Sequence, residues 1–165
     1  KELSRETVDE MLLPAKKLLE SCQKKASVNA DLLDYFIFGI ERLELIVQRE
    51  VDRFEAANAY AEAIHQPIEE ASHSLRKAMQ ALKRTRDAYV LSRNRFIELW
   101  NRENKPYALS WAIEGGHKVY NVSGSYKEVI SKYDELIGRL EELAKTGESL
   151  PPGAAIGLGI ETQTQ

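Results

Sequence analysis

Apolar positions recur alternately three and four residues apart over about two fifths of this chain. The stripe runs Leu33, Phe36, Ile40, Leu43, Val47, Phe54, Ala57, Ala61, Ile64, Ile68, Ala71, Leu75, Ala78, Leu82, Tyr89, Phe96 and Leu99. Only Glu50, Thr85 and Ser92 break it, and the phase passes through Pro67 without slipping. A mean spacing of 3.5 residues lays a seam along one side of a helix and requires a second helix to cover it. The seam is rich at both ends, around Tyr35–Val47 and Tyr89–Trp100, and thins to alanine in the middle. Alanines let helix backbones approach closely while burying little area each.

Two geometries satisfy this pattern. A reversal at Gln66–Pro67 brings the two rich ends together and makes residues 50–85 a slim antiparallel coiled-coil arm. A straight helix of about 75 residues would instead run roughly 110 Å and need a second subunit. Charge supports antiparallel contact in either case. Residues 41–70 carry eight acids against three bases, and residues 76–102 carry eight bases against two acids. Folding at Pro67 sets Arg76 and Lys77 level with Glu55, and Lys83 to Arg86 level with Glu50 and Asp52. Such exposed pairs orient helices more than they stabilise them. Proline also suits the first position of a new helix, so the hairpin is the expected form.

Around this pair the chain supplies further amphipathic segments. Thr7 and Glu10 read as a capping box opening a helix over 7–25, in which Pro14 predicts either a kink or a helix regular only in its later part. Ser27 to Asn29 marks the break before the next helix, placed near 30–66. Pro106 opens a short helix ending at Gly115–Gly116. Ser125 and Glu128 form a second capping box for a last helix over 126–145, apolar at Val129, Ile130, Tyr133, Ile137 and Leu140. The fold class expected is therefore all-α: an antiparallel helical bundle with a long heptad-patterned hairpin. One domain spans 1–147, with 148–165 a flexible tail or linker stub.

Composition narrows the function classes. The 165 residues carry a net charge of −3, with 30% charged and 43% hydrophobic. That balance is ordinary for a folded chain and gives no global attraction to nucleic acid or anionic lipid. Cys22 stands alone, which points to a reducing, cytoplasmic setting. The chain opens on Lys1 rather than Met and reads as a fragment or trimmed product. No apolar run reaches the ~20 residues a membrane span needs.

Candidate chemistry is sparse. All three histidines occur as Glu-x-x-His, at Glu62/His65, Glu70/His73 and Glu114/His117. That spacing is the half-site of carboxylate-bridged di-iron bundles, but two copies lie eight residues apart across Pro67 and the third touches Gly115–Gly116. Solvated histidines on charged helix faces account for it more simply, and no metal or other cofactor is expected. The basic run from Arg76 to Arg102 lacks the interleaved aromatics of nucleic-acid readers and reads as a helix face matched to the acidic half. No catalytic constellation, phosphate-binding glycine loop or family motif is present, so no enzyme activity is expected.

The expected role is a non-enzymatic protein–protein interaction, scaffold or assembly module, binding a protein partner or itself. The candidate contact residues are Ala57, Ala61, Ile64, Ile68 and Ala71 on the seam, and Arg76, Lys77, Lys83 and Arg84 beside it. Tyr107, Trp111 and Tyr120 join them from the aromatic 107–126 segment, because irregular segments on a rigid scaffold often carry function. A bulky side chain at Ala61 is expected to separate the arm helices or change the oligomeric state. The rival readings are an extended kinked-helix dimer that binds membranes by shape and charge, and a metal bundle built on Glu62, His65, Glu70 and His73.

Overall fold

A computed structural model describes residues 5–103, 108–114, 125–146 and 149–158, apart from a few side chains within them. Among these residues the structure is all helix. Helix α1 spans Arg5–Lys25, α2 Leu33–Ile64, α3 Ile68–Glu103, α4 Leu109–Glu114 and α5 Tyr126–Thr146. Short 3₁₀ turns at Ala30–Leu32 and Gly153–Ile156 precede α2 and follow α5. Helix α1 starts before Thr7 and runs through Pro14. Thr7 thus lies within the helix. The break before α2 falls at Asn29, whose backbone is left-handed (φ 55°) and whose side chain caps nothing.

The chain reverses at His65–Pro67, and α2 and α3 form an antiparallel hairpin. Tyr35 near the start of α2 donates to the Leu99 carbonyl near the end of α3. Further along, Asp52 meets Arg84 and Thr85. Small residues line the contact: Ala56, Ala59 and Ala63 on α2, and Ala71, Ala78 and Ala81 on α3, are all buried in one cluster with Tyr60, Leu75 and Leu82.

The seam expected from the sequence holds on α3 but only in part on α2, where Ala57 alone of its residues is buried. Ala71, Leu75, Ala78, Leu82, Thr85, Tyr89 and Leu99 are buried. On α2, Phe36, Leu43, Phe54, Ala61 and Ile64 are exposed, and the buried stripe is Leu45, Asp52, Ala56, Ala59 and Ala63. The physical reason lies in the reversal. A continuous phase through Pro67 constrains a straight helix, but once the chain turns back each helix is free to rotate to its own best face. Turning α2 by two positions sets alanines against alanines and gives Asp52 a buried hydrogen-bond partner.

The hairpin is not a bare two-helix arm. Helix α5 packs along α3, and its Ile137 and Leu140 enter the cluster under the alanine stretch. The cap at its start is reciprocal: the Glu128 amide donates to Ser125 Oγ (3.1 Å), and the Ser125 amide donates to Glu128 Oε2 (2.9 Å). Nor is the segment after α5 a loose tail over 149–158. Tyr60 Oη donates to the Pro151 carbonyl at 2.8 Å. Gly157 adopts the left-handed conformation (φ 85°) that an L side chain would strain. There the Leu158 amide turns back onto the Gly153 carbonyl at 2.8 Å, and the Leu158 side chain is buried in the hairpin core. Apolar residues at Leu150, Ile156 and Leu158 supply an area-driven reason to dock.

Helix α1 lies on the outer flank of α2. Lys16 Nζ pairs with Glu44 at 2.9 Å, and Gln23 Nε2 donates to Asp34 Oδ1 at 2.9 Å, so the two helices run antiparallel.

Candidate functional site

Each helix has a polar inventory that can be followed to its partners. The basic side of α3 serves its own neighbours. Arg84 binds Asp52 (2.7 Å) and Glu55 (2.5 Å) on α2. Lys83 binds Glu141 and Arg86 binds Asp134 on α5, both at 2.9 Å. Arg95 reaches Asp34 at 2.8 Å, and Arg102 binds Asp34 and Glu98. The hydrogen bond from Arg102, with those from Gln23 and the charge of Arg95, holds the Asp34 carboxyl below its ordinary range against the effect of burial. These bases therefore orient α2 and α5 rather than forming an open cationic stripe.

Of the predicted contact residues, Ala57 and Ala71 are buried, whereas Ala61 and Ile64 face outward. Ile64 and Ala71 do meet, in a shallow hollow of about 360 Å³ beside the hairpin turn that Leu143 and Leu150 also line. Arg76 and Lys77 are exposed and lie off Glu55; Arg76 donates instead to the Ser72 carbonyl of its own helix. Lys83 and Arg84 are held as ion pairs on different helices. Tyr107 and Tyr120 fall outside the described residues, as do the side chains of Ile68 and Trp111. Tyr126, from the same aromatic segment, joins the core instead. Its hydroxyl lies 3.0 Å from Ser92 Oγ, and its ring packs against Tyr89 and Phe96.

Glu62, His65, Glu70 and His73 are all exposed, and among the described residues no three His, Cys, Asp or Glu side chains come together to hold a metal. No described helix is long and apolar enough to cross a membrane.

Two surfaces stand out instead. The first is an open cleft of about 460 Å³ between α2, α3, α5 and the Gly157–Leu158 turn. Arg49, Arg53 and Lys132 rim it, Tyr89 and Tyr133 form its aromatic wall, and Leu82, Val129 and Leu136 its floor. Arg49 donates to Tyr89 Oη at 3.4 Å and pairs with Glu50 at 2.7 Å. Burial pushes the Tyr133 phenol up to about 12, so it stays protonated at neutral pH. Glu50 lines the same cleft, so its basic rim is met in part by an acid of the chain.

The second surface is larger and apolar. Met11 is 72% exposed and Leu18 65% on α1, and Phe36 is 64% exposed and Leu43 49% on α2. The antiparallel register set by Lys16–Glu44 and Gln23–Asp34 puts Leu18 level with the turn between Phe36 and Leu43. Around the α1 helix, Met11, Ala15, Leu18 and Cys22 form one stripe, one position off the Leu12–Leu19–Gln23 line that is turned toward α2. Phe36 and Leu43 stand just beside Glu44 on the matching flank of α2, away from the α3-facing line of Leu45 and Asp52. The two stripes thus share one side of the α1–α2 pair. Sequence periodicity marks Phe36 and Leu43 as apolar seam positions but places them in the hairpin contact.

Compared with protein families, curated proteins and solved structures, the chain matches none.

Proposed function

We propose that this protein is a non-enzymatic helical interaction module, of the scaffold or assembly kind, working in a cytoplasmic setting and contacting other protein through the outward face of α1 and α2. The observation that carries this reading is the exposure of Met11, Leu18, Phe36 and Leu43 on one two-helix surface. Isolated exposed apolar residues are ordinary, but a contiguous set at helical spacing costs solubility unless something covers it. The fate of the basic residues supports protein over lipid or nucleic acid. Lys83, Arg84, Arg86, Arg95 and Arg102 are committed to acids within the chain, and the net charge is −3.

A photoreactive benzophenone side chain at position 36 or 43 tests the reading. Irradiation in cells should yield a discrete protein adduct, absent when the same group sits at exposed Lys77. Equal labelling at all three positions would overturn it.

A further inference from the structure

We infer that the occupant of the α1–α2 face is an amphipathic helix of another protein, acidic on both sides of its apolar stripe. This rests on the face being a protein contact and adds the chemistry of the partner.

Spacing selects a helix. Leu32, just before α2, and Phe36, Gly39, Leu43 and Ile46 on it are all exposed and follow one another at alternating steps of four and three residues. They form a second heptad line on α2, on the side away from the line of Leu45, Asp52 and Ala56 that α3 covers. From Leu32 to Ile46 it runs roughly 21 Å, about four turns. A Cβ added at Gly39 would meet nothing of this chain within 4 Å, so the line is open at its middle. Heptad spacing is complementary to another helix rather than to a strand, because each of its residues seats among four residues of a facing helix. Helix α1 walls one edge of the line. There Leu33, Ile40 and Val47 are half-buried, on the flank of α2 where Glu44 pairs with Lys16. Met11 and Leu18 stand exposed beyond them, which makes the seat a shallow trough.

Charge selects an acidic helix. Arg42 stands on the edge of the line away from α1, where the flanking charges of a facing helix would lie. It is exposed and has no hydrogen-bond or ion-pair partner among the described residues. Arg53, eleven residues further and on the same edge, is exposed and without an ion pair too. On the α1 edge, Lys25 follows Leu18 by seven residues and is likewise exposed and unpaired. The acid that the line meets is Glu50 at its far end, and Arg49 pairs with it. Glu6, Glu10 and Lys24 lie on another side of α1 and stay outside the trough. A helix with acids on both edges is therefore attracted at Arg42, Arg53 and Lys25, and a basic one is repelled there. The net charge of −3 works in the opposite sense, so a preference for acids would belong to this face and not to the chain at large.

The test uses the full chain and two synthetic peptides of about four heptads, with leucine at both core positions and either glutamate or lysine at every flanking position. Like charges keep each peptide from pairing with itself at neutral pH. Fluorescence anisotropy should show the glutamate peptide binding in the micromolar range and the lysine peptide at least about 10-fold more weakly. Raised salt should narrow that gap. Arg42→Glu with Arg53→Glu should remove the preference, and Phe36→Glu should weaken the glutamate peptide by at least about 10-fold, with circular dichroism confirming that each variant stays helical. Binding of neither peptide, equal binding of both, or a preference that survives the two arginine changes would overturn the inference. So would self-association, or binding to anionic phospholipid vesicles, that Phe36→Glu abolishes, since the face would then serve a second copy or a membrane. The benzophenone at position 43 keeps the two readings apart. A protein adduct in cells without any preference for the glutamate peptide leaves the interaction reading standing and removes the acidic helix, whereas no adduct and no peptide binding removes both.

Discussion

Asp52 is 1% exposed, in the middle of the hairpin where its neighbours are alanines, and Thr85 opposite it is fully buried. The carboxylate accepts three hydrogen bonds: from Thr85 Oγ1 at 2.8 Å and from Arg84 Nη2 and Nε at 2.7 and 3.1 Å. Arg84 itself remains about half in solvent, so only the acid is committed to the interior. Thr85→Val keeps the shape and removes one donor to a buried charge, a loss of about 1.5–3 kcal/mol. Asp52→Val leaves the Thr85 hydroxyl buried without its acceptor, at about 1–3 kcal/mol, while Arg84 keeps Glu55 and water. Making both changes removes the charge and the stranded hydroxyl together and replaces them with apolar contact. Replacing a buried polar pair by apolar groups is often close to neutral. The double variant should therefore be more stable than the sum of the singles predicts, by at least about 1 kcal/mol. Urea unfolding followed by circular dichroism reads the cycle, and in thermal melts each single should lower the midpoint by about 4–8 °C. Strictly additive costs, or a Thr85→Val variant indistinguishable from the parent, would refute the view that Asp52 and Thr85 act as one buried unit.

The rotation of α2 makes a contrasting pair of predictions. Ala78→Leu puts extra volume into a fully buried contact and should cost about 1–3 kcal/mol, whereas Ala61→Leu, on an exposed position, should stay within about 0.5 kcal/mol; the reverse order in urea unfolding would mean that α2 faces the other way. Tyr60→Phe removes the bond to the Pro151 carbonyl and should cost about 1 kcal/mol, with faster hydrogen exchange at the Leu158 amide; unchanged exchange there would show that the segment holds without it. Arg102 and Gln23 hydrogen bonds depress the folded-state value of Asp34, and those of Arg95 and Arg102 depress Glu98. A depressed carboxyl stabilises the fold above its unfolded value near ~4 and loses that contribution as pH falls through the folded value. Melting temperature should thus hold from neutral pH down to about 4 and drop below it, and Asp34→Asn should flatten that drop; an acid limb unchanged in Asp34→Asn would remove Asp34 from the account.

Some of this structure was readable from local chemistry. The Ser125–Glu128 box needs only two side chains and the amides three residues away, and it formed as the sequence suggests. The reversal at Pro67 and the buried line Ala71–Leu75–Ala78–Leu82 on α3 followed from helix breaking and spacing. What escaped was long-range. Alanine counts as apolar on any face, so in the alanine-rich middle of α2 the line Phe54–Ala57–Ala61 outscored the true line Asp52–Ala56–Ala59–Ala63, which contains an acid. Only the presence of Thr85 opposite makes Asp52 an interior residue. In the same way, nothing local in Lys83 or Arg86 tells that Glu141 and Asp134 on α5 are their partners, or that Leu158 folds back under the hairpin.

The misassigned stripe still carries information. A heptad line of apolar residues is evidence that a helix face is covered, and it does not say by what. On α3 the cover is intramolecular, with α2 and α5 closing over Leu75, Ala78 and Leu82. On α2 the residues with the same spacing, Phe36 and Leu43, face away from α3, and α1 shields only the flank next to them. Exposed α1 residues Met11 and Leu18 extend that uncovered area instead of closing it. A phase that continues through Pro67 is not needed by a hairpin, because each helix rotates independently once the chain reverses. The fold covers the stripe on α3 and leaves Phe36 and Leu43 of its α2 half uncovered.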